Sequence, residues 1–519
     1  MVKIYDKKWE YIVVLSAFGA WGFGFGTGAN DVANAFGTSI GSGALTNRQA
    51  VMIAAVFEFT GALVLGRVST STIAKGIADY DVFKPHPFVY AYGMMWVLLV
   101  GTAWLLGTTY YGLNVSSTHS IIGGIMGFAL SYRSDGVLWI KDDPDSIPPF
   151  KGVVPIVVAW FFAPTATATG SASLFLLVRT FVMRSENSYN RSFYVLPGLV
   201  LLTAFINVYF VLTKGAAKTF AKEGEDFDEN KAAWIAIVVA ACTAAASVLI
   251  LPFVRKRAEQ LSEDLAAEKA QKEIDENKPA ALDEEGNPIP KEETPSGVMT
   301  LYNSKIDSFE SLRDTLLKAN RNSIKAQNEF MVDLPTRVQV IHDRAERFDP
   351  KTEDVFKVLQ VFSACCVTFA HGAGEVGYMA GPLSVAWSVY QNGELPKKVV
   401  ADLWVLIFSA LSLVFGLALY GQKVTRAMGA EISCITASRG FAAELSTACV
   451  IMIAAQYGLP TSSSQCITGG ILGIGLVEGV STGVNWVRFG HQFISWVATI
   501  FVMALGTAAF FAQGIAAPT

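Results

Sequence analysis

The stretch Gly28-Ala29-Asn30-Asp31-Val32-Ala33-Asn34-Ala35-Phe36-Gly37 returns in altered form as Gly372-Ala373-Gly374-Glu375-Val376-Gly377-Tyr378-Met379-Ala380-Gly381, 344 residues later. A second pair stands at nearly the same offset. Ser116-Ser117-Thr118-His119-Ser120-Ile121-Ile122-Gly123-Gly124 opens one short Gly-rich segment, and Ser462-Ser463-Ser464-Gln465-Cys466-Ile467-Thr468-Gly469-Gly470 opens another, 346 residues on. Two separate motifs at almost one spacing mark a duplicated unit, which we place at 1–135 and 354–480.

The surroundings of both copies are apolar. Of 519 residues, 52% are apolar or aromatic and only 16% charged, against roughly 25% charge in soluble domains. With a mean hydropathy of +0.40, the chain reads as an integral membrane protein rather than a disordered chain or an ordinary cytosolic enzyme. A net charge of −4 offers no basic surface, so nucleic acid is not an expected partner. The six cysteines all fall in apolar stretches and read as small buried hydrophobes, without disulfide or metal spacing.

A membrane-crossing helix needs about 20 mostly apolar residues. Such stretches occur near 9–28, 48–66, 88–111, 152–182, 193–213, 232–254, 355–371, 399–421, 439–458 and 487–513. Four shorter ones (32–45, 115–131, 376–391 and 461–477) are rich in Gly, Ser and Thr. They read as half-helices or re-entrant segments, giving about twelve passes, and the first apolar run is expected to be a retained helix rather than a cleaved signal. Between the copies, 136–254 supplies connecting membrane helices. Next comes a hydrophilic loop, 255–353, flanked by Arg255-Lys256-Arg257 and by Arg344, Arg347 and Lys351. By the positive-inside rule it is cytoplasmic. Its first part, 258–295, is expected to be mobile, and 300–332 has helical periodicity. Residues 481–519 form a last membrane helix. Duplicated halves with interrupted short helices at matching places point to a secondary transporter, whose site lies where the two halves meet.

Acids inside apolar segments mark that site, because an ionisable group at membrane depth is costly. Asp31, with Asn30 and Asn34 nearby, and Glu375 in the second copy supply hard oxygen ligands suited to a small cation. Glu58 and Glu444 are lone carboxylates amid apolar and small residues, and they are candidates for coupling to the driving ion. Ser116, Ser117 and Thr118, and Thr461, Ser462, Ser463 and Ser464, open the short helices. Hydroxyls and free N–H groups at a helix N-terminus favour an anion. One such cluster would read as simple N-capping, whereas two at repeat-equivalent positions favour a small oxyanion held between them. No nucleophile–base pair, metal cluster or nucleotide loop suggests an enzyme.

At Gly28–Gly37 the sequence resembles the inorganic phosphate transporter family, the sodium- or proton-coupled phosphate permeases. Supporting matches are Phe57-Glu58-Phe59-Thr60-Gly61, the Ser116–His119 run, Phe369-Ala370-His371-Gly372, Gly381-Pro382-Leu383 and Gly440–Leu445. The resemblance covers both halves. It implies an all-α membrane protein of about twelve transmembrane helices, built from two inverted repeats with broken or re-entrant helices, and a homodimer. It further implies cation binding by Asn30, Asp31 and Asn34, phosphate binding by the Ser/Thr runs, and transport dependent on Glu58 and Glu444. The second copy departs from the family pattern, with Gly374, Glu375 and Tyr378 where Asn, Asp and Asn are usual. The function expected is import of inorganic phosphate driven by sodium, by alternating access in the plasma membrane, with no cofactor beyond the co-transported ions. Proton-coupled phosphate or sulfate uptake is the rival within transport; an anion channel or a phosphate-sensing membrane receptor are rivals of another class.

Overall fold

In a computed structural model the described residues are 7–144, 149–216, 229–277, 334–396 and 399–516. They form fifteen α-helices and one two-residue hairpin. The first half holds α1 (Glu10–Gly41), α2 (Asn47–Lys75), α3 (Tyr80–Phe83), α4 (Pro87–Tyr110), α5 (Ser117–Tyr132), β1 (Lys141–Asp142), β2 (Phe150–Lys151) and α6 (Val153–Val178). Helices α7 (Ser188–Phe210), α8 (Glu229–Asn277) and α9 (Thr336–Arg344) lie between. The second half holds α10 (Pro350–Asn392), α11 (Leu403–Tyr420), α12 (Gln422–Ala430), α13 (Ala437–Gln456), α14 (Ser463–Glu478) and α15 (Trp486–Ala516).

Ten of these are long and apolar enough to cross a bilayer: α1, α2, α4, α6, α7, α8, α10, α11, α13 and α15. Their outer faces carry large exposed apolar side chains such as Phe18, Phe161, Phe162, Tyr194, Leu249 and Leu505. A surface like that is stable against lipid, not water. Helices α10 and α13 are the most enclosed of the ten.

Two of the four expected half-helices are not separate. Residues 32–41 are the unbroken end of α1, and 376–391 lie inside the 43-residue α10. Their glycines serve close approach instead of unwinding. A methyl group at Gly28 would overlap the Leu413 carbonyl on α11, and one at Gly416 the Phe25 carbonyl on α1. On the other side, Gly372 meets the Glu58 carbonyl on α2, and Gly61 the Phe369 carbonyl on α10. These are the same contacts, with α1 matched to α10 at an offset of 344 and α2 to α11 at 355. Each half therefore lays its first helix against the second helix of the other half. The relation extends further. Gly127 of α5 meets the Ala504 carbonyl of α15, and Gly473 of α14 meets the Ala168 carbonyl of α6.

Helices α5 and α14 are short, at 16 residues each. Each is capped at its start by a serine, Ser116 accepting from His119 N–H and Ser462 from Gln465 N–H. They run in opposite directions. The chain after α5 pairs with the chain after α2, Val137 beside Ala78, whereas the end of α14 sits with the approach to α10, where Glu346 N–H donates to Glu478. Because α2 and α10 run parallel, these two places are opposite ends of the bundle.

The loop end departs from expectation. Helix α8 continues as one helix to Asn277, so 258–277 is helical; residues 278–333, including 300–332, lie outside the described residues. Past α9, Glu346 accepts from Arg179 and Arg184 at the end of α6. Hydrogen bonds from Arg184 hold its carboxyl below the ordinary carboxylate range, against partial burial.

The glycine contacts are directly checkable. Gly372→Val should lower thermal stability in detergent by roughly 1–3 kcal/mol or more, since the Glu58 backbone has no flexible end to yield. Gly374→Ala, whose added methyl meets nothing within 4 Å, should leave stability unchanged or raise it slightly.

Candidate functional site

The starts of α5 and α14 meet inside the bundle against the midsections of α1 and α10. Ser116 and Ser462 Oγ stand 2.9 Å apart, and Ser462 also reaches Ser464 at 2.9 Å. His119 Nδ1 lies 2.6 Å from Ser116 Oγ, its ring stacked on Trp160 at 3.9 Å between centroids. Thr118 Oγ1 bonds Tyr378 OH at 2.8 Å and the Thr461 carbonyl at 3.3 Å. The bulky residue that replaces an amide in the second copy thus ties α10 to α5.

Beside these hydroxyls lie the two matched acids. Ser117 Oγ stands 2.9 Å from Asp31 Oδ2 and 2.6 Å from Glu375 Oε2. A hydroxyl has one proton to donate, so it satisfies one carboxylate at a time. Asp31 Oδ1 also accepts from Asn34 at 2.6 Å, and Asn34 Oδ1 from Asn114 at 3.0 Å. Glu375 Oε1 accepts from Ser463 at 3.1 Å. All of these groups are buried. Two carboxyl groups across one hydroxyl repel when both are ionised, and a cation or proton between them removes the repulsion.

Sequence reading passed over His371. It lies one helical turn before Glu375, on the same face of α10. Its Nδ1 is 2.7 Å from Glu58 Oε1, and its unbonded Nε2 stands 3.7 Å from Asp31 Oδ2 and 3.9 Å from Glu375 Oε1. Asp31, His371 and Glu375 have ligand atoms all within 4.8 Å of one another. The signal was available: a lone histidine deep in an apolar helix, at i, i+4 from an acid.

Not every candidate joins this cluster. Asn30 turns away: its amide donates to Thr109 Oγ1 and the Leu113 carbonyl and accepts from Val115 N–H. On an unbroken helix, neighbours Asn30 and Asp31 point about 100° apart, and Asn30 fastens the chain entering α5. Because α1 is continuous here, its backbone carbonyls stay within the helix and add no ligands to the cluster. Glu444 is separate as well. Its Oε1 accepts from Thr38 and Ser39 at 2.6 Å each and from Gln360 at 3.1 Å, and its Oε2 from Ser363 at 2.6 Å. Four donors make it a well-satisfied buried carboxylate, whereas Glu58 has His371 alone and leaves Oε2 unbonded.

A cleft lined by Leu65, Thr72, Ile73, Leu459, Thr461 and Ser463 runs between α2, α10 and the chain joining α13 to α14, and it reaches His371 and Glu375. Gly374 borders it. A Cβ there would meet nothing within 4 Å, so the glycine leaves this side of the approach to Glu375 open.

Opposed helix N-termini over buried acids, within a bundle of apolar helices, define a multi-pass membrane protein with a polar site at its centre. Residues 27–507 match the family model described as the phosphate transporter family, and the chain belongs to that family, whose members are transporters and not enzymes. The chain is 30% identical to inorganic phosphate transporter 2-1, chloroplastic, of Arabidopsis thaliana, over 95% of this chain and 70% of that one. It is 26% identical to the phosphate-repressible phosphate permease of Neurospora crassa, over 94% of each chain. A solved structure entitled the sodium-dependent phosphate transporter shares its fold, with a TM-score of 0.69, 24% identity, and coverage of 98% of this chain and 100% of that chain.

His371→Ala would strand Glu58 as an unpaired buried carboxyl, at a cost of roughly 3–5 kcal/mol. Adding Glu58→Leu should recover a good part of that loss. A double-mutant cycle on unfolding in detergent checks this, and simple additivity would mean that the two groups are not coupled.

Proposed function

We propose that this chain imports inorganic phosphate together with sodium ions, by alternating access between two inverted repeats. The observation that carries the reading is the meeting of α5 and α14, N-terminus to N-terminus, directly beside Asp31 and Glu375. Helix starts rich in hydroxyls favour an oxyanion, but two carboxylates alongside repel a phosphate dianion. Cations at Asp31 and Glu375 remove that repulsion, so cations bind first and phosphate second. Coupling follows from this order, because neither charge is stable at the site without the other. The hard oxygens of Asp31, Asn34 and Glu375 suit sodium. Phosphate would take the hydroxyls of Ser116, Ser117, Thr118, Ser462, Ser463 and Ser464 and the Thr461 backbone. In this reading Glu58 acts through His371, and Glu444 holds α1, α10 and α13 in register. Basic residues on both flanks of 255–353 support a cytoplasmic loop. We place the protein in the plasma membrane as a homodimer.

A proton-coupled variant has one observation in its favour, the buried Glu58–His371 pair, which can carry a proton beside the acids. Phosphate uptake into proteoliposomes under a sodium gradient, against choline and against an imposed proton gradient, separates the two. Sulfate as competitor tests the anion, and gradient-independent current would mark a channel. Asp31→Asn should abolish sodium-driven uptake, by two orders of magnitude or more, while the protein still reaches the membrane; wild-type uptake would sink the cation site.

A further inference from the structure

A buried polar column leads from the site toward the loop end of the bundle. Along α1 and its C-cap it runs from Asp31 and Asn34 through Thr38 and Ser39 to Ser42, a span of about 16 Å at the helical rise per residue. On the facing side it runs from His371 through Ser363 to Gln360 on α10. Glu444 lies midway and bonds both strands of the column, and Ser42 closes it on Gln360 at 2.6 Å. Helices facing lipid have no use for such a stack. Polar and ionisable side chains buried at successive levels of a membrane protein are costly and mark ion pathways.

The column ends at a cavity bordered by Gly41, Cys434, Thr436, Arg439, Glu346 and Glu353. The strap from Ala345 to Asp349, joining α9 to α10, lies against it. Glu346 fixes the strap at four points. Its carboxylate takes Arg179 at 2.7 Å and Arg184 at 2.8 and 2.9 Å. Its N–H donates to Glu478 Oε2 at 3.1 Å, and its carbonyl accepts from Arg439 at 2.8 Å. Arg439 itself pairs with Glu478 and lies over the edge-to-face pair Phe175 and Phe348, 5.2 and 5.3 Å from their ring centroids. One acid therefore joins the ends of α6, α13 and α14 across the mouth of the column.

We propose that this column is the release route for the transported ions and that the Glu346 strap is the gate that closes its loop-side end. The proposal rests on the transport reading above. The cleft at Thr72 and Leu459 reaches Glu375 from the side away from the strap, so the two cavities approach the centre separately, with Glu346 and its partners bordering the loop-side one. The outermost ion pair of the latch is the one placed to yield first. Glu346 and Arg184 remain 29% and 51% exposed, and ion pairs in such positions are weak and screened by salt. A gate closed by a dry apolar plug would not open on the same terms.

Native Cys434 and a cysteine placed at Thr72 report on the two ends. Each is made the sole cysteine, and its reaction with a membrane-impermeant maleimide is timed from each face of oriented vesicles. Glu346→Gln should raise loop-side labelling of Cys434 about tenfold and slow labelling of the Thr72→Cys protein from the other face. Arg184→Gln, at a more exposed position, should give the same pair of changes, smaller, and keeps the test open if the first variant folds poorly. Unchanged Cys434 labelling in both variants would overturn the gate. So would faster Cys434 labelling with Thr72→Cys unmoved, since that is fraying of the strap without exchange of access. Labelling needs no cargo: absent phosphate uptake by the wild-type chain with the labelling exchange intact would overturn the phosphate reading and leave the gate standing.

Discussion

Negative charge held inside an apolar bundle must find partners, and the arrangement around Asp31 and Glu375 follows from that requirement. Each acid receives a short-range donor of its own, Asn34 or Ser463, and both face Ser117. One hydroxyl proton cannot answer two carboxylates. The deficit leaves a place between the two acids for a cation or a proton. At Glu444 the count is reversed, with four donors around one carboxylate, and that group stabilises the packing of three helices as it stands. The two kinds of buried acid differ in how many donors converge on them, not in depth of burial.

Glycine makes the convergence geometrically available. Helices brought together at Gly28 and Gly416, and again at Gly372 and Gly61, approach until backbone touches backbone. Without a hydrophobic drive between helices in lipid, close packing of small residues is a main source of association. The same approach lets side chains one helix away reach the centre, so His371 of α10 meets Glu58 of α2 at hydrogen-bond length. Larger residues at these four glycines would separate the helices and pull the acids from their donors together.

Much of this was legible from residues alone. The duplication, the membrane class, the Ser-capped short helices and the acids Asp31 and Glu375 all announce themselves through spacing and through the rarity of charge in apolar segments. Other features were not legible, for identifiable reasons. Gly-rich runs within 28–41 and 372–381 fit two opposite outcomes, unwinding or close approach, and only the neighbouring helix decides between them. The direction of Asn30 depended on that same choice, because helical continuity sends it away from Asp31. The Glu444 cage draws on Thr38 and Ser39 and on Gln360 and Ser363, two pairs of ordinary residues more than 300 positions apart, which no local pattern could join. His371 is different: its i, i+4 relation to Glu375 was visible and carried the information.

The two halves share their backbone contacts, one central acid each and the serine-capped helix starts, but not the rest of their polar chemistry. At the glycine-defined offsets, Glu58 corresponds to Leu413, His371 to Thr27, Asn34 to Tyr378 and Asn30 to Gly374. The helix-packing positions are thus held by both copies, while the polar complement is divided between them. For these four groups the centre uses one copy's residue, which relieves the other copy of the need. A second Glu–His pair at the matching position would add buried charge with no further partner to meet it. The duplicate is free there to become apolar, as at Leu413, or to serve packing, as Tyr378 does on Thr118. Symmetry is therefore retained where backbones touch, because steric overlap punishes both copies alike, and at the paired acids and serines, and is lost at the other side chains that converge on the centre.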